Sequence, residues 1–232
     1  MKYEITLQSI IPRTVNVTSF RFIRPEGLNY KPGQFFFVNL QHQGKEIRKH
    51  FSFSSSPTEP DYIEFTKKLS DSEYSTVLWG TKPGAGVQID APYGKFTFEG
   101  EYPKVALLAG GIGITPFRSM IKYAADKSLN SHIALFYGCR TPVDIVFRDE
   151  WESTQKNNRL KVVLVVNEAT PNWTGRTGVI NADLIKQELP DYREYIFFAC
   201  GPPGMVKAMQ ILIENLGLPK EQLKLEYFTG YT

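Results

Sequence analysis

Residues 105–116 read Val105-Ala106-Leu107-Leu108-Ala109-Gly110-Gly111-Ile112-Gly113-Ile114-Thr115-Pro116, and their reading decides the fold. A short apolar run of strand type breaks into three glycines and ends in Thr-Pro. Threonine is a favoured helix N-cap, and proline suits the first helical position. The segment therefore predicts a strand, a tight turn and a helix capped by Thr115 that starts at Pro116. Such a turn aims free backbone N–H groups, at the positive end of a helix dipole, toward an anion. Gly110, Gly111 and Gly113 remove the side chains that would keep a pyrophosphate off the backbone. The dinucleotide fingerprint G-x-G-x-x-G fits Gly111 and Gly113, with Pro116 in place of the third glycine. Residues 196–205, Ile-Phe-Phe-Ala-Cys-Gly-Pro-Pro-Gly-Met, repeat the construction of buried strand, Gly/Pro turn and new helix.

Around these turns, strands of buried type at 105–109, 133–137, 162–166, 195–200 and 223–227 alternate with helical stretches at 116–127, 147–155, 182–188 and 205–216. Alternating strand and helix implies a doubly wound α/β domain, a parallel sheet with helices on both faces. If its strand order is 3-2-1-4-5, the first and fourth strands are neighbours where the order reverses, and both glycine turns flank one crevice. Before Tyr102-Pro103 the texture differs. Short apolar or alternating runs at 3–11, 19–23, 34–40, 63–68 and 87–91 are separated by Gly/Pro/Asn punctuation, without long helices. That pattern predicts a small antiparallel β-barrel. The expected organisation is two domains, 1–101 and 102–232.

Composition narrows the class. Of 232 residues, 42% are hydrophobic and 22% charged, which is ordinary for a soluble globular chain. The net charge of +3 is carried by dispersed basic residues, so no nucleic-acid footprint is expected. Two cysteines, Cys139 and Cys200, can build neither a disulfide framework nor the four ligands of an iron–sulfur cluster, and no metal site is expected. No apolar leader and no membrane-length apolar run is present, so the expected location is the cytoplasm.

Six markers in order carry a family resemblance: Pro32-Gly33-Gln34-Phe35, Phe51-Ser52-Phe53-Ser54-Ser55, Ala91-Pro92-Tyr93-Gly94, the glycine turn at 110–116, Cys200-Gly201-Pro202, and Glu226-Tyr227-Phe228. The chain resembles, over essentially its whole length, the ferredoxin–NADP reductase family, in which a flavin-binding barrel precedes a pyridine-nucleotide domain. The family's flavin signature, Arg-x-Tyr-Ser/Thr-x-x-Ser, maps here onto Lys49, Phe51, Ser52 and Ser55, with Arg48 one residue before the basic position. The resemblance assigns Ser52 a donor role beside flavin N5 and Phe51 a packing role against the ring. Lys49 neutralises a phosphate as a point charge, without the arginine fork. The displaced arginine leaves FMN beside FAD. Tyr74-Ser75-Thr76 lies where the family places a second phosphate-binding turn entering a short helix.

In the nucleotide half the resemblance places the Thr115 hydroxyl and Cys200 along the hydride path, with Glu226 near the nicotinamide or Cys200. No covalent chemistry is implied for the thiol, because the cofactors carry the hydride. NADP-selective relatives place a Ser-Arg pair after the third strand. The corresponding residues are Val166-Asn167, followed by Glu168, an acidic neighbour that suits a ribose hydroxyl. Arg140 and Arg176 lie in nearby loops, and on balance NADH is expected over NADPH. In the tail, Phe228 or Tyr231 is expected to cover the flavin face.

The expected activity is hydride transfer from NAD(P)H to flavin, then electron delivery to a separate acceptor such as ferredoxin, flavodoxin or an oxygenase component. A reductase of free flavin, ferric chelates or quinones needs the same hydride step. A non-catalytic flavin or nucleotide sensor is the reading from another class; the glycine turns and Ser52 argue against it.

Overall fold

In the computed structural model, residues 1–154 and 158–228 are described. The first hundred residues build six antiparallel strands: β1 (Lys2–Thr14), β2 (Val17–Ile23), β3 (Phe35–His42), β4 (Lys45–Ser52), β5 (Tyr62–Lys68) and β6 (Gly86–Tyr93). Their order is β4-β3-β6-β1-β2-β5. Alternate residues point inward, so Phe20, Phe22, Phe36, Phe65 and Ile89 fill the centre with no exposed surface. The expected strands are present. β4 was not among them, because Lys45-Glu46-Ile47-Arg48-Lys49-His50 shows no apolar alternation. A two-residue turn at Gln43-Gly44, both at positive φ, pairs His42 with Lys45 and extends the hairpin through the polar run. One short helix, α1 (Glu73–Gly80), follows β5, capped by Ser72, whose side chain accepts from the Ser75 N–H.

A buried polar seam closes this sheet on itself. The Ser54 and Ser55 N–H groups, just beyond β4, both donate to the carbonyl of Glu64 on β5, at 2.8 and 3.3 Å. The Glu64 carboxylate is fully buried. It accepts from Arg13 at 3.1 Å, from Arg21 at 2.8 Å and from Ser54 Oγ at 3.2 Å. A buried carboxylate is tolerated only when paired and hydrogen-bonded in this way.

The parallel sheet comprises β7 (Lys104–Gly110), β8 (His132–Cys139), β9 (Leu160–Val166), β10 (Arg176–Thr177), β11 (Ile196–Gly201) and β12 (Leu223–Tyr227). Its order is β10-β9-β8-β7-β11-β12. The two-residue β10 was not expected. The other five stand in the anticipated 3-2-1-4-5 order, so the first and fourth, β7 and β11, are hydrogen-bonded neighbours. The helices are α2 (Ile114–Asp126), α3 (Arg148–Thr154), α4 (Ala182–Glu188) and α5 (Pro203–Asn215). One sheet face packs Ala106, Leu108, Phe136 and Phe197 with Ile185 of α4, its C-cap Leu189, and Met209 and Ile213 of α5. Residues 105–110 are buried without exception, as a doubly covered strand requires.

By contacts the chain forms two compact units. The first is Met1–Glu99 with Thr115–Lys127; the second is Gly100–Ile114 with the described residues from Ser128 onward. Helix α2 thus belongs by sequence to the α/β half and by packing to the barrel. Phe117 meets Phe96 at 5.8 Å between ring centroids. A Cβ on Gly33 would lie 2.4 Å from Met120 and 2.2 Å from the Phe96 carbonyl, at a φ of +97°, so only glycine fits there.

Candidate functional site

In the α/β unit, both glycine turns stand at the carboxyl ends of neighbouring strands. Thr115 is not the helix cap. After an extended Gly110, the backbone is already helical from Gly111, passing through a 3₁₀ turn (Gly111–Gly113) into α2 at Ile114. Gly111 makes the turn itself at φ +51°, so the helix starts on the glycines. Thr115 and Pro116 sit inside the first turn, where proline is tolerated because that N–H has no intrahelical partner. The two turns pack backbone against backbone. A Cβ on Gly113 would lie 2.2 Å from the Cys200 carbonyl, and one on Gly201 would lie 3.1 Å from the Gly110 carbonyl. A Cβ on Gly110 would touch Met205 at 3.0 Å, whereas one on Gly111 meets nothing within 4 Å. Gly110, Gly113 and Gly201 therefore let the turns approach each other, and Gly111 leaves open space in front of them. Beyond Gly201, Pro202 caps α5 at its N-terminus.

Cys200 is fully buried at the end of β11 and faces Glu226 on β12 in register. Burial, and then the Glu226 charge, hold its thiol well above the usual range; burial also raises the Glu226 carboxyl. The thiol is therefore neutral and unsuited to nucleophilic work. Phe228 donates its N–H to the Gly201 carbonyl at 3.0 Å. Tyr231 lies outside the described residues. Arg140 is exposed, with Nε 4.0 Å from Asp144. Its carbonyl accepts the Glu168 N–H at 2.9 Å. Arg176 is paired with Glu188.

In the barrel unit, Gln34 ties three of the sequence markers together. Its carbonyl accepts the Phe53 N–H at 3.0 Å, and its amide donates to the Gly94 carbonyl at 3.1 Å. The 51–55 stretch is mostly internal. Phe51 does not present its ring outward; it stacks on Phe65 in the core at 4.3 Å. Phe53 lies between Tyr30 at 3.8 Å and Phe36 at 4.3 Å. Ser54 Oγ serves Glu64, and Ser55 Oγ is 3.0 Å from the Tyr30 hydroxyl. Ser52 differs: it is 7% exposed, and its hydroxyl has no partner among the described residues.

Arg48 and Lys49, adjacent on a strand, face opposite ways. Arg48 donates to Asp90 at 3.1 Å and lies 3.8 Å over the Phe37 ring. It is thus apart from the basic cluster that Lys49 joins. Lys49 faces Tyr74, with Nζ 5.8 Å from the ring centroid. Tyr74 itself is buried and donates to the Val38 carbonyl at 3.1 Å. Thr76 bonds back to the Ser72 carbonyl at 3.3 Å. Ser75 meets a residue that sequence reasoning passed over: Lys67, 2% exposed, donates from Nζ to Ser75 Oγ at 2.7 Å. Ser72 and Ser70 hydroxyls stand 3.0 and 3.1 Å from the same oxygen. Burial, and then Lys49, push the Lys67 ammonium down to about 8. Two cations and three hydroxyls at the first turn of α1 suit an anionic group. Lysine before a helix of Ser and Thr was the only sequence signal for it, and lysines are common.

Comparison with known proteins matches each half of the chain to an oxidoreductase domain. Residues 2–98 match the oxidoreductase FAD-binding domain, and residues 107–210 match the oxidoreductase NAD-binding domain. The chain belongs to the ferredoxin–NADP reductase family. The FAD-binding half of this reductase fold carries Ser52, Lys49 and the Lys67–Ser75 cluster; the NAD-binding half carries the glycine turns. The chain is 30% identical over 237 residues to the glycine betaine monooxygenase reductase subunit of Chromohalobacter salexigens, covering 98% of this chain and 64% of that one. It is thus similar to under two thirds of the length of such a relative. It is 27% identical to ferredoxin–NADP reductase B of Sorangium cellulosum over 97% of both chains. Among solved structures, the ferredoxin reductase in carbazole 1,9a-dioxygenase superposes with a TM-score of 0.83 at 26% identity, over 98% of this chain and 69% of that one.

A groove of about 410 Å³ on the barrel is lined by Glu4, Asn39, Gln88 and Val77 among others, and none of the sequence-predicted site residues lines it. Among the described residues no helix is long and apolar enough to cross a membrane.

Proposed function

We propose that this chain oxidises NAD(P)H through bound FAD and passes electrons to a separate acceptor protein, such as an oxygenase component or a ferredoxin. The observation that carries the reading is the backbone-to-backbone approach of the two glycine turns at the ends of β7 and β11, with Gly111 open in front of them. The chemistry FAD supplies when bound is acceptance of a hydride and release of electrons one at a time. The chain's own residues bind and orient. The N–H groups of residues 111–113 and the start of α5 receive the nucleotide's phosphates. Lys49 and Lys67 neutralise the flavin's pyrophosphate, and Ser75 offers it a hydroxyl. Ser52 Oγ offers a hydrogen bond at the reacting edge. Neutral Cys200, with Glu226 opposite, gives the nicotinamide an uncharged neighbour. The expected functional boundary remains 101/102.

The relatives' names support a protein acceptor: one is a monooxygenase reductase subunit, and another, of matching length, is a ferredoxin–NADP reductase. For the nucleotide we favour NADH, since Arg176 is engaged by Glu188 and Glu168 follows the third strand. Anaerobic titration of the FAD-loaded protein with NADH and then NADPH tests both points. Bleaching by NADH at the higher kcat/KM is expected; a flavin that resists both nucleotides overturns the function. Faster turnover with free flavin or ferricyanide than with any ferredoxin would favour a small-acceptor reductase.

A further inference from the structure

The segment from Phe53 to Glu59 is gripped from two sides. The Ser54 and Ser55 N–H groups both donate to Glu64, the Tyr30 hydroxyl donates to the Ser55 carbonyl at 3.3 Å, and each carbonyl has a further partner. Helix α2 supplies it. Arg118 Nη1 donates to the Ser54 carbonyl at 2.6 Å, and Ser119 Oγ donates to the Ser55 carbonyl at 2.7 Å. Arg118 is 5% exposed and also reaches the Glu59 carboxylate at 3.4 Å. Glu59 in turn accepts the Ser56 N–H at 2.7 Å and the Tyr62 hydroxyl.

A buried guanidinium is an expensive way to pack a helix, since an apolar side chain of similar volume avoids its desolvation. What the arginine adds is direction: a short, charge-assisted bond that fixes one carbonyl. That carbonyl lies two residues beyond Ser52, whose hydroxyl alone in the 51–55 stretch has no internal side-chain partner. The intervening Phe53 is held by Gln34.

We propose that Arg118 and Ser119 are positioning residues for hydride transfer: they fix the 53–55 backbone and thereby the direction of the Ser52 hydroxyl toward the flavin. The inference rests on the reading of Ser52 as a flavin-contacting donor, and the test separates the two.

FAD-loaded Ser52→Ala, Arg118→Met, Arg118→Lys and the double variant Ser52→Ala/Arg118→Met are compared by anaerobic single-turnover reduction with NADH. The absorbance envelope of the bound flavin and amide exchange of residues 52–55 in the flavin-free protein are recorded beside it. Misplacing a group by about 1 Å can slow a step by up to about a hundredfold. The expectation is that Ser52→Ala and Arg118→Met each slow reduction about tenfold or more and shift the envelope alike. Arg118→Lys recovers part of the rate, and the double variant is no slower than the slower single one. Faster exchange at 52–55 is expected in Arg118→Met. If Ser52→Ala slows reduction but Arg118→Met does not, or if the two losses multiply, the positioning role is overturned and the Ser52 reading stands. If Ser52→Ala reduces at the parent rate, the Ser52 reading itself falls, and the positioning role with it. Should Arg118→Met fail to fold, Ser119→Ala, which removes a single neutral hydrogen bond, enters the same cycle with the same expected outcomes.

Discussion

The turn at 110–116 and the stretch at 51–55, both proposed as cofactor contacts, are built by different means. At 110–116 it is the backbone that the proposed site uses. Gly113 and Gly201 exist to let two turns meet, and Gly111 keeps the space before them clear. At 51–55 the side chains carry most of the work, and nearly all of it is internal: two rings complete the core and two serines bind Glu64 and Tyr30. A glycine-built site needs few particular side chains around it. A site at a barrel seam inherits the seam's demands for packing and polar satisfaction, and only Ser52 escapes them.

The largest effect expected from that contrast is at the seam. Glu64→Ala takes the carboxylate from two arginines that are three-quarters or more buried, and should lower stability by about 3–5 kcal/mol in urea unfolding of the flavin-free protein. A loss under 1 kcal/mol would mean the seam does not hold the barrel. Next comes Gly113→Ala, whose methyl would be driven into the Cys200 carbonyl. It should cost about 3 kcal/mol, against about 1–2 kcal/mol for Gly111→Ala, which is strained only by its left-handed backbone. Gly111→Ala should instead weaken NADH binding more than its small stability loss suggests. The reverse order in either measurement breaks the assignment of one glycine to packing and the other to the ligand.

A smaller effect is expected at Lys67. Because its ammonium titrates near 8, below the ordinary 10.5, a bound pyrophosphate must draw a proton back onto it above that pH. FAD affinity should therefore fall as pH rises from about 8. Over the same range the flavin-free protein should gain stability, because its unfolded chain then binds more protons. Fluorescence titration of FAD at pH 7, 8 and 9 checks the first trend, and Lys67→Met should flatten it. A pH-independent affinity in the parent protein would remove Lys67 from the site. The smallest expected effect is none at all. Cys200 and Cys139, both buried, the latter with its thiol pushed up to about 12, should not react with a disulfide reagent at pH 8 in the native protein. Rapid labelling of either would show a more open strand end.

By itself the sequence determined the change of texture near residue 101, the alternation of strand and helix after it, and the two glycine turns. Apolar periodicity and glycine placement are local properties of the chain, and both survive folding unchanged. It also put Cys200 at a strand end and Glu226 on the last strand. Tertiary structure alone decided the rest. It brought β4 into the barrel although residues 45–50 show no apolar alternation, because pairing with β3 through a two-residue turn outweighs weak local preference. It began the helical turn at Gly111, at a positive φ, and ran it into α2 at Ile114, so Thr115 lies inside the helix rather than at its cap. It turned Arg48 to Asp90 and Lys49 to Tyr74, a separation fixed by strand pleating and invisible in a list of basic residues. And it set Lys67 beside Ser75, and Arg118 beside Ser54, across gaps of 8 and 64 residues, where only the folded chain makes them neighbours.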